Sequence, residues 1–236
     1  MADKITAIIV AAGNGTRMGG QINKVFLPLG NGTVISKTVD AMCSCTEISD
    51  IVVVTRSCDV LECMELLKNT QKRVRIITGG KTRQESVYKG LLEARDSNIV
   101  VIHDGARALI LPETVKRTIM DAKTFGASAV GVMCKDTLKS VDTDGFIENT
   151  LDREKTYLIQ TPQIFVRDDI LKAHEMAMEE KFLATDDCAL YERYIGRVKV
   201  TDGSYDNIKL TTPDDMEIAE NILKRRGNSD ENRPRL

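Results

Sequence analysis

Tryptophan is absent from this 236-residue chain, only two histidines occur, and aromatic residues make up 4% of it. That scarcity argues against a single-strand nucleic-acid binder that stacks bases on aromatic rings. An excess of one charge is also missing. The 33 Lys and Arg residues stand against 35 Asp and Glu, a formal net charge of −2, which argues against broad capture of nucleic acid. No segment approaches about 18 consecutive apolar residues, so no membrane span is expected. The first residues, Met1-Ala2-Asp3-Lys4, lack the basic flank and cleavage site of a secretion signal. The six cysteines form no Cys-x-x-Cys pair and fit no zinc spacing, which points to reduced thiols in a cytoplasmic protein.

What is present is a hydrophobic content of 42%, enough for a substantial core. At roughly 150 residues per domain, residues 1–224 read as a single domain, with a polar, frayed tail at 225–236. Short β-branched runs recur at Ile5–Val10, Ile51–Thr55, Val74–Thr78, Ile99–His103, Ser128–Met133 and Arg197–Thr201. Helical patterns lie between several of them, at Thr33–Met42, Thr82–Arg95 and Pro112–Phe125. Strands apolar on both faces, alternating with helices, predict an α/β fold with a mostly parallel sheet covered on both sides. Ligands of such sheets lie beyond the carboxyl ends of the strands. One segment departs from the pattern. Leu138–Val141 and Phe146–Glu148 flank Asp142-Thr143-Asp144-Gly145, a hairpin signal within an arm at about 136–155. A lone hairpin is marginal in water, so it is expected to pack on the body or on another subunit.

The segment after the first strand is glycine-rich: Ala11-Ala12-Gly13-Asn14-Gly15-Thr16-Arg17-Met18-Gly19. Glycines let backbone N–H groups approach phosphate oxygens closely. The dinucleotide fingerprint requires glycine where Met18 stands, and the Walker pattern is absent. Arg17 in the turn and Lys24 soon after are the distinctive elements. Two fixed cations beside exposed amides suit a triphosphate attacked at phosphorus. Farther on, Gly79-Gly80 ends a strand and Ser86 follows, so loop amides and a hydroxyl can read a base edge. Thr82 with Glu85 three residues later also makes a helix cap. Asp104 ends another strand, where a carboxylate can hold Mg²⁺. His103 reads as a packed, hydrogen-bonded group, and His174 as a helix-surface residue.

These segments together resemble a known family. Ala-Ala-Gly-x-Gly-x-Arg-Met-Gly, Lys24 and Phe26-Leu27-Pro28-Leu29 are similar to nucleotidyltransferases that make activated alcohols and sugars. The resemblance is stronger to the 2-C-methyl-D-erythritol 4-phosphate cytidylyltransferase family of the non-mevalonate isoprenoid pathway. Gly79–Val87, His103–Arg107, Lys135–Lys139, Gln160–Phe165, Thr185–Asp187 and Asp206–Pro213 carry it in family order, over roughly residues 5–220. The resemblance implies a Rossmann-like three-layer domain with a protruding β-hairpin arm, and cytidylyl transfer from CTP to a small polyol phosphate. It implies Arg17, Lys24 and Lys209 as catalytic cations against the phosphates. It implies nucleotide binding by Ala11, Ala12, Gly13, Gly15, Gly80, Ser86, Asp104 and Gly105. It implies that Asp104 lies near ribose, Mg²⁺ (or another divalent cation) and acceptor, and that Arg107 and Thr161 bind the acceptor. It implies too that Thr137 and Arg153 contact its phosphate, from an arm that reaches into the neighbouring subunit of a homodimer.

Departures from the family pattern are few. Asn23-Lys24-Val25 replaces the usual Pro-Lys-Gln, Gly105 and Ala108 stand for Ala and Pro, and Lys81 often has an acidic counterpart. Three other readings stay open: a ribitol 5-phosphate cytidylyltransferase, an NAD(P)-dependent oxidoreductase, and a non-catalytic nucleotide-binding module.

Overall fold

The structure, a computed structural model, describes residues 3–13 and 23–231. Among these, seven strands form one sheet: β1 (Ile5–Val10), β4 (Asp50–Thr55), β5 (Val74–Thr78), β6 (Ile99–Asp104), β7 (Ala127–Met133), β10 (Tyr157–Val166) and β11 (Lys199–Asp202). Their order is β11-β7-β10-β6-β1-β4-β5. All run parallel except β10, which lies antiparallel between β6 and β7. The mostly parallel sheet expected from the β-branched runs is therefore present, with one reversed strand that those runs did not disclose.

Alternation along the strands divides two cores. Ile5, Ala7 and Ile9 of β1, with Ile51 and Val53 of β4, face α1 (Val34–Cys43), α2 (Val60–Leu66) and α4 (Pro112–Phe125). Ile8 of β1, with Val52 and Val54 of β4, faces α3 (Arg83–Glu93), α5 (Arg167–Glu179) and α6 (Asp187–Tyr194). Each of these Ile and Val side chains, fully buried, is worth about 1.5–3 kcal/mol, so the two faces together fix the sheet between two helical layers. A third, smaller cluster forms where α7 (Pro213–Glu231) covers a short hairpin, β2 (Pro28–Leu29) with β3 (Gly32–Thr33). α7 extends through the start of the stretch expected to fray. Arg225 donates two hydrogen bonds to Asp206, and Arg226 donates to the Leu109 carbonyl.

The arm is present as β8 (Lys139–Val141) and β9 (Ile147–Thr150). Its turn is held by Asp142, whose Oδ1 accepts from the N–H groups of Asp144 and Phe146 at 3.0 and 2.8 Å. Gly145 there has φ of 88°, a backbone region that side chains other than glycine adopt only with strain. Val141, Phe146 and Ile147 remain exposed, at 56%, 72% and 63%.

Candidate active site

Strand register brings Val10, Val54 and Asp104 side by side at the carboxyl ends of β1, β4 and β6, and Thr55 beside Thr78 of β5. A cleft of about 730 Å³ opens there. Ala11, Ala12 and Gly13 form one wall with Lys24, and Gly79, Gly80 and Ser86 another. Asp104 and Lys209 lie on the floor. Among the described residues, five cations line the cleft, Lys24, Arg56, Lys81, Arg83 and Lys209, against one carboxylate, Asp104.

Asp104 is the electrostatic centre. Its Oδ2 receives Lys209 Nζ at 2.8 Å, with Arg107 Nε at 3.7 Å, and its Oδ1 faces Arg83 Nε at 3.6 Å. Burial alone pushes this carboxyl up, but the cations Arg83, Lys209 and Arg107 outweigh it and hold the group down at about 2. The carboxylate is therefore ionised at any physiological pH.

A directional chain of hydrogen bonds supports it from behind. The Asp104 N–H donates to Thr161 Oγ1 at 3.0 Å, and Thr161 Oγ1 lies 3.0 Å from His103 Nδ1. The other ring nitrogen, Nε2, lies 3.1 Å from the Arg107 carbonyl, which can only accept. Nε2 therefore carries the proton, and Nδ1 accepts from the threonine hydroxyl. Burial holds the His103 ring neutral, with its pKa down at about 4. Packing and hydrogen bonding are what the sequence suggested for His103. Thr161 is a correction: its hydroxyl turns inward to His103 instead of facing the cleft, and its side chain is buried.

Lys209 sits on a loop tied at several points. Asn207 donates through Nδ2 to Gln160 Oε1 at 2.9 Å and to the Thr161 carbonyl at 3.0 Å, and its own carbonyl accepts from Arg107 at 2.7 Å. The Leu210 N–H reaches the Ala106 carbonyl at 2.9 Å, and Asp215 accepts from the N–H groups of both Thr211 and Thr212 at 2.7 Å.

Lys24 follows an equally defined entry. Asn23 Nδ2 donates to the Ala11 carbonyl at 3.0 Å and to Asp59 at 2.9 Å, and Arg56 closes on both oxygens of Asp59 at 2.6 and 2.8 Å. Burial raises the Asp59 carboxyl, but Arg56 and Asn23 outweigh it and lower it. The asparagine that departs from the family pattern thus fastens the Lys24 segment to the end of β1.

The Gly79–Gly80 corner is closed against side chains. A Cβ on Gly80 would stand 2.3 Å from Glu85 Cβ. Ser86 Oγ accepts from the Gly80 N–H at 3.0 Å and donates to the Thr82 carbonyl at 2.9 Å. Thr82 caps α3 by accepting from the Glu85 N–H, while Glu85 takes the Lys81 N–H at 2.7 Å. The capping reading of Thr82 and Glu85 holds, and the same cap shapes the cleft wall.

Several expected residues lie elsewhere. Arg17 and Gly15 fall outside the described residues. Gly105 is packed behind the cleft, its N–H on the Val10 carbonyl, and Arg107 lies beneath Asp104. Thr137 and Arg153 are exposed on the arm and do not line the cleft. Asp186 caps α6, accepting from the Ala189 N–H at 3.0 Å. His174, expected on a helix surface, is fully buried, with Nε2 3.1 Å from Asp187 Oδ1. Asn23, Arg56, Arg83 and Asn207 were not read as site residues. Arg56 and Arg83 each immediately follow a strand or loop at the sheet's carboxyl edge, which was the available signal.

Comparison with known proteins agrees across the chain. The family model described as IspD, 2-C-methyl-D-erythritol 4-phosphate cytidylyltransferase, matches residues 5–225. The 2-C-methyl-D-erythritol 4-phosphate cytidylyltransferase of Clostridium novyi (strain NT) is 45% identical over 224 residues, 94% of this chain and 97% of that one. Its counterpart from Desulforamulus reducens is 43% identical over 226 residues, again 94% and 97% of the two chains. The crystal structure of 4-diphosphocytidyl-2C-methyl-D-erythritol synthase from Anaerococcus prevotii DSM 20548 superimposes with a TM-score of 0.86 at 33% identity, covering 95% of this chain and 97% of that one.

Proposed function

The chain belongs to the 2-C-methyl-D-erythritol 4-phosphate cytidylyltransferase family, and from that premise we propose how its residues divide the reaction. The enzyme transfers a cytidylyl group from CTP to 2-C-methyl-D-erythritol 4-phosphate, giving 4-diphosphocytidyl-2-C-methyl-D-erythritol and pyrophosphate, in isoprenoid precursor biosynthesis. An oxygen of the acceptor's phosphate forms a bond to the α-phosphorus. The bond from that phosphorus to the β-phosphate oxygen breaks, and pyrophosphate leaves with the electron pair. A phosphate is already an anionic nucleophile, so no general base is required. The difficulty is bringing anions together and holding them in line.

The observation that carries the division of roles is the charge imbalance of the cleft, five cations against Asp104. Lys24 and Lys209 both line the cleft and are assigned to the triphosphate, with Arg17 of the glycine-rich turn. They offset repulsion on approach and stabilise the charge on five-coordinate phosphorus. Backbone groups of Ala12 and Gly13 are assigned to phosphate, and those of Gly80, with the Ser86 hydroxyl, to the cytosine edge; Ala11, its N–H on the Val54 carbonyl, lines the cleft without a free donor. The Ser86 oxygen keeps one lone pair beyond its two internal bonds. Asp104 is assigned to ribose and acceptor, and Arg107, outside the cleft lining, to holding Asp104 and the Asn207 carbonyl, while Thr161 and His103 hold the Asp104 backbone in place.

The donor set suits Mg²⁺. That ion takes oxygen ligands and is commonly held by one or two carboxylates plus substrate phosphates and water. Asp104 supplies one ionised carboxylate, and among the described residues no cluster of three metal-ligating side chains competes for that role. When bound, the metal would neutralise phosphate charge.

Thr137 and Arg153 stand outside their own cleft, on an arm with exposed apolar side chains. This supports a homodimer in which the arm of one copy serves the cleft of the other. The six free cysteines support a cytoplasmic setting, and no helix of the described residues is long and apolar enough to cross a membrane.

The test is pyrophosphate release from CTP with 2-C-methyl-D-erythritol 4-phosphate or ribitol 5-phosphate as acceptor, with and without a chelator. Turnover with the erythritol acceptor, lost on chelation and restored by Mg²⁺, is expected. Preference for ribitol 5-phosphate overturns the acceptor assignment, and full turnover in chelator overturns the metal.

A further inference from the structure

Asp187 lies outside the cleft and is 1% exposed, yet three side chains from three elements converge on it. Its Oδ1 faces His174 Nε2 of α5 at 3.1 Å, and its Oδ2 forms an ion pair with Arg83 NH1 of α3 at 2.7 Å. Gln163 Oε1 of β10 accepts the Asp187 N–H at 3.1 Å and the Cys188 N–H at 3.2 Å, and the Gln163 amide donates to Asp186 at 2.8 Å. A buried carboxylate with a fully buried histidine behind it is a costly way to fill space. Apolar side chains of similar volume commonly serve stability as well or better. The geometry points to what the cost secures.

Arg83 stands between two carboxylates. It touches Asp187 at 2.7 Å and keeps 3.6 Å from Asp104. Asp104 Oδ2 is taken by Lys209 at 2.8 Å, but Oδ1 has Arg83 only at that longer distance. If Asp187 were neutral, the nearest anion for the guanidinium would be Asp104 Oδ1. An Arg–carboxylate pair there, short and hydrogen-bonded, would occupy the oxygen that Lys209 leaves open.

We infer that Asp187, backed by His174 and Gln163, is a positioning residue of the reaction: it draws Arg83 away from Asp104, so that one carboxylate oxygen of Asp104 stays open to ligand. The inference rests on the assignment of Asp104 to the substrate site.

A double-mutant cycle on pyrophosphate release, with the thermal midpoint of each variant measured alongside, tests it. Asp187→Asn is expected to lower kcat about tenfold, the scale of a small misplacement in a reacting geometry, in a protein that still folds. Arg83→Gln lowers kcat by its own factor. The double variant is expected to be no worse than about twofold below Arg83→Gln alone, because the two residues act through one contact. Losses that multiply place the effect of Asp187 outside Arg83 and overturn the inference, as does wild-type kcat in Asp187→Asn. If Asp187→Asn does not fold, His174→Gln moves the cycle one contact outward. A fall of about threefold that vanishes in the Arg83→Gln background is then expected, and an equal fall in both backgrounds overturns it. Asp104→Asn, assayed in parallel, separates the premise. Undiminished turnover in that variant removes Asp104 from the site whatever the cycle shows.

Discussion

Lys209 and Arg153 are both basic side chains assigned to phosphate, and they are anchored in opposite ways. The loop of Lys209 is fastened to β10, α7 and the turn after β6 through Asn207, Leu210, Asp206 and Asp215, with Asp104 as the direct partner of the ammonium. The segment of Arg153 is held at its ends by backbone bonds, Leu151 N–H on the Leu138 carbonyl and Cys134 N–H on the Thr156 carbonyl, and between them by near neighbours. Asp152 accepts from the Glu154 N–H at 3.1 Å, and the Thr156 hydroxyl reaches the Asp152 carbonyl at 2.6 Å. A cation that must meet a developing charge is preorganised before substrate arrives, because that avoids reorganisation during the reaction. A cation on an exposed arm takes its place from whatever the arm meets.

The largest expected effect falls on the anchored side. Lys209→Ala or Lys24→Ala should lower kcat by about 10²–10³, roughly 2.7–4 kcal/mol of barrier, with the thermal midpoint little changed. Turnover close to wild type would remove that lysine from the transition state and erase the contrast. On the arm, Arg153→Ala should cost mainly acceptor affinity. Mixing it with Lys24→Ala after exchange of subunits should restore about a quarter of wild-type sites, since only mixed pairs contain one intact cleft. No recovery on mixing would show that each arm serves its own copy.

A third test reads the anchoring itself through pH. The ordinary histidine value is 6.5, and burial lowers His103 to about 4. Between those values the unfolded chain binds a proton that the folded one refuses. Stability from this group is therefore complete above about 6.5 and declines by about 3 kcal/mol as pH falls to about 4. Asp104 acts lower: burial is outweighed by Arg83, Lys209 and Arg107, and its contribution, complete above about 4, is lost as pH falls through about 2. Urea midpoints between pH 7.5 and 4.5 should fall, and should fall less in His103→Gln. A flat profile in the parent protein would sink this reading. The smallest effect should come from Arg225→Ala. Its ion pair with Asp206 is well exposed and worth about 1 kcal/mol or less, visible as a slight drop in thermal midpoint and a modest loss of kcat through the Lys209 loop.

The parallel strands were legible because burial on both faces leaves uninterrupted runs such as Ile51-Val52-Val53-Val54. β10 was not, because Gln160, Thr161 and Gln163 interrupt its core. They are buried at 7%, 4% and 2% exposure through partners far along the chain, Ser204, His103 and Asp186 among them. His174 was misread for the same reason. A polar residue beside Glu175 looks solvated until Asp187 is found opposite it. α5 was readable in principle, since Ile170, Ala173 and Ala177 repeat at helical spacing. The glycine corner and the lysines flanking it were visible as local patterns. The partners of Arg83 and Asn207 were invisible, since Arg83 meets Asp187 and Asn207 meets Arg107 across long stretches of chain that only the folded sheet brings together.

The clasp of Arg225 and Arg226 on Asp206 also has a meaning in time. The chain emerges from its amino end, and β1, the strand on which the cleft is built, is made first. The floor lysine, Lys209, emerges much later, and the helix that steadies its loop later still. A nascent chain can pair β1 with β4 and β6 well before that helix exists. The bonds that α7 lends to the Lys209 loop are therefore among the last to form during synthesis.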